Sequence, residues 1–161
     1  MTGRTHNDIV VYMIPELINI GSPWKVLPPG IHNASLAEIK ATYATNPTRI
    51  TLFEGLERGA KALRRAGCKV LYIDGSFVTE KHNPLDFDAC WDPLGVDPKA
   101  LDPVLLDFSN RRRRQKQKYG GEFFPSSANA DGAQTFLEFF RVDKHTEMEK
   151  GIIRLALAEP N

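Results

Sequence analysis

The stretch LYIDGSFVTEKHNPLDFDACW, residues 71–91, decides the fold and raises the question of function. Its first apolar run ends in Gly75 and Ser76, and its second run carries Asp86 and Asp88, one residue apart. Side chains alternate along an extended strand, so the two aspartates of a predicted strand share one face. Like charges held this close are costly unless a proton, open water or a cation relieves them. The spacing therefore indicates a binding site for a divalent cation.

The segments around this stretch alternate between helical and strand patterns. Ser35 and Glu38 form a capping-box pattern that begins a short helix. Apolar residues recur at three- and four-residue steps from Thr48 to Gly67, which predicts a second helix and its C-terminal stop. The other predicted elements are strands at 69–74 and 86–91, a helix from Pro103 to Gly120, a strand in EFFP (122–125), a helix in TFLEFFRV (135–142) and a strand in GIIRLAL (151–157). We therefore predict an α+β fold, with a small mixed β-sheet flanked by helices.

The length and composition of the chain favour one domain with a preceding arm. A chain of 161 residues that is 42% hydrophobic can bury one core but is short for two domains. Within residues 1–34, Pro23, Pro28, Pro29 and Gly30 exclude a continuous helix or a central strand. We expect residues 1–34 to form an arm packed on a domain of residues 35–161.

Charge and cysteine content limit the partners and the compartment. Lys and Arg number 21 and Asp and Glu 20, so a net charge of +1 excludes attraction of the whole protein to nucleic acid or an acidic membrane. Any such attraction must come from a local patch. No run approaches the roughly 18 apolar residues of a membrane span, and no signal-peptide pattern is present. Cys68 and Cys90 lie in apolar runs typical of reduced, buried thiols. We expect a cytoplasmic protein with no membrane partner.

Gly75, Ser76, Asp86 and Asp88 are the residue types that phosphate chemistry requires. A glycine lets the backbone approach a phosphate closely, and a serine hydroxyl can donate a hydrogen bond to it. Carboxylates are the hard oxygen ligands that Mg²⁺ prefers, and this ion usually completes its shell with water and substrate phosphates. Two such ions, roughly 3.5–4 Å apart, can hold the attacking and leaving oxygens of an in-line phosphoryl displacement.

The pattern Gly-Ser, nine residues, Asp-x-Asp resembles the signature of the DNA polymerase beta-like nucleotidyltransferase superfamily, over about residues 70–124. The chain as a whole also resembles a group of small uncharacterised bacterial proteins in that superfamily. The second resemblance rests on the stretches VLPPGIH (26–32), DGSF (74–77), DFDACWDP (86–93), DPVLLDFSN (102–110) and KGII (150–153). These resemblances imply a minimal nucleotidyltransferase-like fold.

The superfamily resemblance also implies roles for the motif residues. Gly75 and Ser76 are expected to bind the triphosphate of an NTP. Asp86 and Asp88 are expected to coordinate two Mg²⁺ ions, with Mn²⁺ as the alternative ion.

A third carboxylate on a later strand completes sites of this superfamily. Glu122 is our choice for that catalytic and metal-binding acid, with Glu138 and Asp107 as alternatives. Small bacterial members carry an arginine three residues after the serine, where this chain has Thr79. We expect Lys81 to supply a phosphate-binding charge in its place, without the forked geometry of an arginine.

The basic run RRRRQKQK, residues 111–118, holds six cations in eight residues on the helix predicted before Glu122. It is either a solvated helix face or a phosphate-binding patch beside the metal site, and the sequence leaves both open. Lys116 and Lys118, closest to Glu122, are the candidates for contact with a triphosphate. Residues 111–114 are the candidates for contact with an RNA backbone.

Two functions follow from these features. The first is a magnesium-dependent nucleotidyltransferase that moves a nucleoside monophosphate from an NTP to a hydroxyl of RNA, such as a tRNA end, or of a protein. The resemblance implies a bacterial toxin of a toxin–antitoxin pair as its setting, with a cognate antitoxin as partner. The alternative is a catalytically inactive module that binds nucleotide, RNA or a partner protein.

Overall fold

A computed structural model of the chain describes residues 13–157. Eleven named helices and strands follow one another within this range, and two short 3-10 turns, Ser76–Val78 and Pro103–Leu106, lie between them. They are, in chain order, β1 (Gly30–Asn33), α1 (Leu36–Tyr43), α2 (Pro47–Arg65), β2 (Val70–Asp74), β3 (Phe87–Trp91), α3 (Ser109–Tyr119), β4 (Gly121–Pro125), β5 (Asn129–Asp131), β6 (Gln134–Thr135), α4 (Phe136–Phe140) and β7 (Gly151–Ala156).

Five of the strands form one mixed sheet in the order β1-β7-β2-β3-β4. Strand β2 is antiparallel to both β3 and β7, whereas β1 runs parallel to β7 and β3 runs parallel to β4. Strands β5 and β6 form a separate two-stranded ribbon. The predicted α+β fold, a small mixed sheet flanked by helices, is confirmed.

The two faces of the sheet carry different residues because side chains alternate along each strand. Phe87, Ala89 and Trp91 of β3 point into the main core, which α1 and α2 cover. The residues between them, Asp88 and Cys90, point to the opposite face. On that face a smaller apolar cluster around Cys90 packs under α4. Asp88, the acidic residue of β3, therefore lies on the side of the sheet that faces away from α2.

Most of the predicted elements are confirmed. Ser35 and Glu38 form the complete capping box of α1, and α2 begins at Pro47 with Asn46 as its N-cap. Gly67 follows α2 with a φ of +97°, the left-handed conformation expected of a stop. The strands predicted at 69–74, 86–91, 122–125 and 151–157 correspond to β2, β3, β4 and β7, and the helix predicted in 135–142 corresponds to α4.

The prediction of one helix from Pro103 to Gly120 is wrong. Asp102 does cap a helical turn, since its Oδ1 accepts from the backbone N–H of Val104 at 3.0 Å, but that turn is a 3-10 turn of four residues. The Asp107 carboxylate then accepts from the backbone N–H and the hydroxyl of Ser109 at 3.0 and 2.5 Å. This local hydrogen bonding competes with a continuous helix and separates α3 from the turn.

The segment before residue 35 supplies an edge strand that the sequence did not reveal. Strand β1 lies within the predicted arm and pairs with β7 at the edge of the sheet. Pro28 and Pro29 exclude a central strand but are compatible with an edge strand that follows them. Ile14 and Leu17 also pack against the main core, whereas residues 1–12 of the predicted arm lie outside the described residues. Within residues 13–157, no helix is long and apolar enough to cross a membrane.

Two glycines let α2 lie close to the junction of α3 and β4. A Cβ atom at Gly55 would lie 1.9 Å from the carbonyl oxygen of Tyr119, and one at Gly59 would lie 2.5 Å from the ring of Phe123. Real side chains do not approach backbone this closely, so α2 depends on both glycines for its position against β4.

We predict that Gly55→Ala destabilises the protein, although alanine is the better helix former. The added methyl group forces α2 away from Tyr119, at a cost of about 3 kcal/mol. Urea denaturation of Gly55→Ala measures this loss, and Glu54→Ala at the exposed neighbouring position should stay within about 0.5 kcal/mol of the wild type. An unchanged or higher free energy of unfolding for Gly55→Ala would show that α2 is not packed against this junction.

Candidate functional site

Three neighbouring strands carry an acidic residue at the same level of the sheet. Asp74 ends β2 and pairs in register with Asp88 of β3, which pairs in register with Glu122 of β4. Asp86 lies one residue before β3 and its charge acts on Asp88. Neighbouring strands lie roughly 4.8 Å apart, so these four carboxyl groups form one acidic cluster.

The crowding of the acidic cluster is greatest at Asp88. Burial raises the pKa of this half-buried carboxyl well above its ordinary value, and the charges of Asp74, Glu122 and Asp86 raise it further. A side-chain hydrogen bond between Asp88 and Glu122 acts in the same direction. Burial and the charge of Glu122 likewise raise the pKa of Asp86, while the charges of Lys116 and Lys81 oppose the rise. The centre of the cluster therefore favours a proton or a cation.

The Gly-Ser turn lies directly against the acidic cluster. Gly75 has a φ of +86°, and a Cβ atom there would meet Asp88 at 2.9 Å from Oδ2 and 3.0 Å from the backbone nitrogen. Glycine is required at this position both by the left-handed backbone and by the close approach. Ser76 follows and begins the 3-10 turn, and its carbonyl oxygen accepts from the hydroxyl of Thr79 at 2.7 Å. The structure thus brings Gly75 and Ser76 beside the aspartates, as their spacing in sequence suggests.

A buried arginine from α2 fixes the segment that follows the Gly-Ser turn. The guanidinium of Arg49 donates to the carbonyl oxygens of Phe77, Thr79 and Lys81 at 2.7, 2.8 and 2.5 Å. Arg49 is only 4% exposed, so these bonds lie within the packed structure. The side chain of Lys81 extends over the ring of Trp24, with its Nζ 4.7 Å from the ring centroid. Sequence reasoning missed Arg49 because its partners are all backbone atoms.

Glu122 is held by two cations of the basic run. Its Oε2 accepts from Arg112 Nη2 at 3.2 Å and lies 3.0 Å from Lys116 Nζ. Burial alone would raise the pKa of Glu122, but the hydrogen bond from Lys116 and the charge of Arg112 lower it below its ordinary value. Glu122 is therefore the acid of the cluster that stays ionised most readily.

The backbone of residues 110–112 adopts the left-handed conformation, which residues other than glycine rarely adopt. Asn110, Arg111 and Arg112 have φ values of +50°, +57° and +61°. For residues other than glycine the left-handed conformation costs roughly 1–2 kcal/mol per residue, and such strain is concentrated at functional sites. The strained turn directs the guanidinium of Arg112 towards Glu122 and over the ring of Phe124, 5.4 Å from its centroid.

A buried ion pair anchors the other side of the acidic cluster. Lys150, immediately before β7, donates a hydrogen bond from Nζ to Asp74 Oδ1 and a second one to the carbonyl oxygen of Phe140 at 2.8 Å. Burial still raises the pKa of Asp74, although Lys150 opposes that rise. Asp74 could have been suspected from its place before Gly75 at a strand end. Lys150, 76 residues away, gave no local signal.

The structure does not bring three other predicted residues to the acidic cluster. Lys118, a predicted contact of the triphosphate, points away from the cluster, because its Nζ pairs with Asp102 at 2.6 Å. Of the alternative third acids, Glu138 completes the capping box of α4. Asp107 accepts from Ser109 and pairs with Arg114 at 3.3 Å. Glu122 is the only one of the three proposed third acids that faces Asp88.

The donor chemistry of the acidic cluster fits Mg²⁺ through two carboxylates. Among the described residues, no three His, Cys, Asp or Glu side chains are arranged to bind one metal ion. Mg²⁺ is, however, usually bound by one or two carboxylates together with water and substrate phosphates. Asp86 and Asp88 supply such a pair on one face of the sheet. Glu122 faces the same site, with its Oε2 held by Lys116 and Arg112.

The chain belongs to the protein family whose sequence model matches most of its length. The sequence model described as "Family of unknown function (DUF6932)" matches residues 22–156, which include the whole acidic cluster. No curated protein and no solved structure matches the chain. The chemistry of the site must therefore be inferred from its own residues.

We predict that Asp88→Asn stabilises the folded protein by about 0.5–2 kcal/mol at neutral pH, because it removes a charge from a crowded site. The folded-state pKa of Asp88 is raised, so ionisation of Asp88 costs stability as the pH rises from the ordinary carboxyl range through that raised pKa. Thermal unfolding at several pH values should therefore show a gain that shrinks in acid, where the wild type is protonated. Asp131→Asn, an exposed substitution on β5, serves as the control. A loss of stability in Asp88→Asn at neutral pH would contradict the repulsion described for the cluster.

We predict that Lys150→Met destabilises the protein by about 3–5 kcal/mol, because Asp74 is left buried without its partner. Urea denaturation of this variant should be compared with Lys144→Met, which removes an exposed lysine nearby. Adding Asp74→Asn to Lys150→Met should restore part of the loss, since no unpaired charge is then buried. A loss in Lys150→Met no larger than that in Lys144→Met would mean that the ion pair does not anchor β2 to β7.

Proposed function

We propose that the protein is a magnesium-dependent nucleotidyltransferase of the DNA polymerase beta-like superfamily. It transfers a nucleoside monophosphate from an NTP to a hydroxyl of RNA or of a protein and releases pyrophosphate. The observation that carries this proposal is the contact between the Gly75 turn and Asp88, with Glu122 in register on the next strand. A phosphate-binding turn and a set of crowded carboxylates meet at one point, which is the requirement of metal-assisted phosphoryl transfer.

Each residue of the site has a role that its geometry supports. Asp86 and Asp88 hold the metal ions, and the backbone at Gly75 with the hydroxyl of Ser76 binds the triphosphate. Bound Mg²⁺, or Mn²⁺ in its place, neutralises the carboxylates and the developing charge on the phosphoryl oxygens. Glu122 is ionised and can accept a hydrogen bond from the acceptor hydroxyl, which orients that hydroxyl for attack.

The transfer itself exchanges one phosphorus–oxygen bond for another. The acceptor oxygen forms a bond to the α-phosphorus of the NTP, and the bond from that phosphorus to the oxygen bridging the β-phosphate breaks. The electrons of the broken bond stay on pyrophosphate, and the proton of the acceptor hydroxyl passes to a carboxylate of the site or to water.

Arg112 and Lys116 provide the cations that the Gly-Ser segment lacks. Thr79 stands where small members of the superfamily carry an arginine, but Arg112 reaches Glu122 from a different element of the fold. Its guanidinium offers forked contacts to phosphate oxygens, and Lys116 adds a point charge. If Glu122 bound a metal ion through its carboxylate, Arg112 and Lys116 would be the cations nearest to it for binding phosphate oxygens. The charge of Lys81 also acts on Asp86 and lowers its pKa.

A second candidate function is a module that binds nucleotide or RNA without turnover. It is favoured by the pairing of Glu122 with Lys116 and Arg112, which leaves two carboxylates as the metal ligands already in place. In either case we propose a bacterial cytoplasmic setting, as a toxin with a cognate antitoxin, from the resemblance to small members of the superfamily.

The two candidates are separated by a transfer assay. Purified protein with each α-³²P-labelled NTP, Mg²⁺ or Mn²⁺, and total RNA or cell lysate should move label onto an acceptor. Asp86→Asn combined with Asp88→Asn should lower that transfer by about 100-fold or more, whereas Asp131→Asn should leave it unchanged. Binding of an NTP with Mg²⁺ but without transfer to any acceptor would establish the binding module instead.

A further inference from the structure

A second concave surface lies across α3 from the acidic cluster. It is a cavity of about 370 Å³ between α2 and α3. Lys116 and Lys118 are two residues apart on a helix with 3.6 residues per turn, so they point to nearly opposite sides. Lys116 reaches Glu122, and Lys118 reaches Asp102 at the border of the cavity. We call this cavity the cationic cleft, after the four basic residues that line it, Arg58, Lys61, Arg65 and Lys118.

The positive charges of the cationic cleft are poorly balanced by acids. Asp102 is the carboxylate that lines it, and that group already accepts from Lys118 Nζ at 2.6 Å and from the hydroxyl of Tyr119 at 2.5 Å. Lys61 pairs with Glu57 only at 3.9 Å on the exposed face of α2, which contributes little. In a chain with a net charge of +1, four cations around one cavity are a local concentration of charge that an anion would relieve.

The helix dipole, which favours cations at the end of a helix, does not by itself explain the positions of these four cations. Arg65 is the last residue of α2, where a cation is favoured by the helix dipole. Arg58 lies about two turns earlier, and Lys118 belongs to another helix. Arg58, Lys61 and Arg65 are spaced so that they form one stripe along α2. Arg58 is also held in place, because its Nη2 donates to the carbonyl oxygen of Lys118 at 3.1 Å.

We propose that the cationic cleft binds the phosphodiester backbone of a single-stranded RNA, which makes RNA the acceptor class of the reaction proposed above. The role of RNA as acceptor rests on the proposed function, whereas the binding of RNA by the cleft does not. Guanidinium groups and lysines that follow a groove contact successive phosphates without reading bases. Ala62, Ala100 and Tyr119 also line the cleft, and Tyr119, its one aromatic side chain, is buried and so is no exposed anchor of the kind found in protein interfaces. The cleft and the acidic cluster lie on the two sides of α3, since Lys118 faces Asp102 and Lys116 faces Glu122.

The binding is tested without metal or NTP. Fluorescence anisotropy with a fluorescein-labelled single-stranded RNA of about 16 nucleotides and mixed sequence gives Kd over a range of salt concentrations. The variant Arg58→Gln, Lys61→Gln, Arg65→Gln should weaken binding by about tenfold or more. The slope of log Kd against log salt concentration should fall by about 2. The control variant Lys25→Gln, Lys40→Gln, Lys69→Gln removes three exposed charges that do not line the cleft and should change Kd by less than about twofold.

The outcomes separate this inference from the proposed function. RNA binding that depends on the three cleft residues supports the cleft whether or not transfer is observed, and the variant Asp86→Asn, Asp88→Asn should retain that binding while it loses transfer. Absence of RNA binding by the wild type at low salt would overturn the inference. Equal weakening in the cleft variant and the control variant would overturn it as well. Transfer of label to a protein at the same rate in the cleft variant would show that RNA is not the acceptor.

Discussion

The candidate site depends on the strand register that places Asp74, Asp88 and Glu122 side by side on three adjacent strands. Strand spacing fixes these acids within one site, and Asp86 adds a fourth charge beside them. A fold that served stability alone would not place carboxylates side by side on a half-buried face, because the charge of each one raises the pKa of its neighbours and makes their ionisation costly. The surrounding cations partly offset this cost. Lys150 holds Asp74 on one side, and Lys116 with Arg112 holds Glu122 on the other.

Asp88 is left between these two neutralised acids. Asp88 pairs neither with Lys150, as Asp74 does, nor with Arg112 and Lys116, as Glu122 does. The backbone of Gly75 lies close to its carboxylate. The charge demand of the site is therefore concentrated next to the turn that is proposed to hold a triphosphate. The strained conformation of residues 110–112 supports the same interpretation, since it brings Arg112 to this point at a cost in backbone energy. Both features are expected where function has been favoured over stability.

The sequence predicted the elements that local chemistry defines. The capping box at Ser35, the proline and asparagine that begin α2, and the apolar runs of β2 and β3 are local signals, and each produced the expected element. The short gap between Ser76 and Asp86 also predicted that the turn and the aspartates lie together, because a short connection between antiparallel strands keeps the end of one strand beside the start of the next. Glu122 was chosen because the resemblance implies a third acid on a later strand, and it lies in register with Asp88.

What the sequence did not predict depends on distant parts of the chain or on local competition. The edge strand β1 exists only because β7, more than a hundred residues later, offers it a partner. Lys150 and Arg49 act on residues far from them in sequence, and no local signal marks these contacts. The expected helix from Pro103 failed because Asp107 forms hydrogen bonds within its own turn. Lys118 was assigned to triphosphate contact because it is close to Glu122 along the chain, but its position on α3 directs it to Asp102.

The central claim is that Asp86 and Asp88 bind a nucleotide through a divalent cation beside the Gly75 turn. Isothermal titration calorimetry with a nonhydrolysable NTP, in the presence of Mg²⁺ and in the presence of EDTA, tests it most directly. We predict nucleotide binding by the wild type that requires Mg²⁺ and is lost in Asp86→Asn, Asp88→Asn but kept in Asp131→Asn. Binding of the same strength in EDTA, or in the double variant with Mg²⁺, would contradict the account.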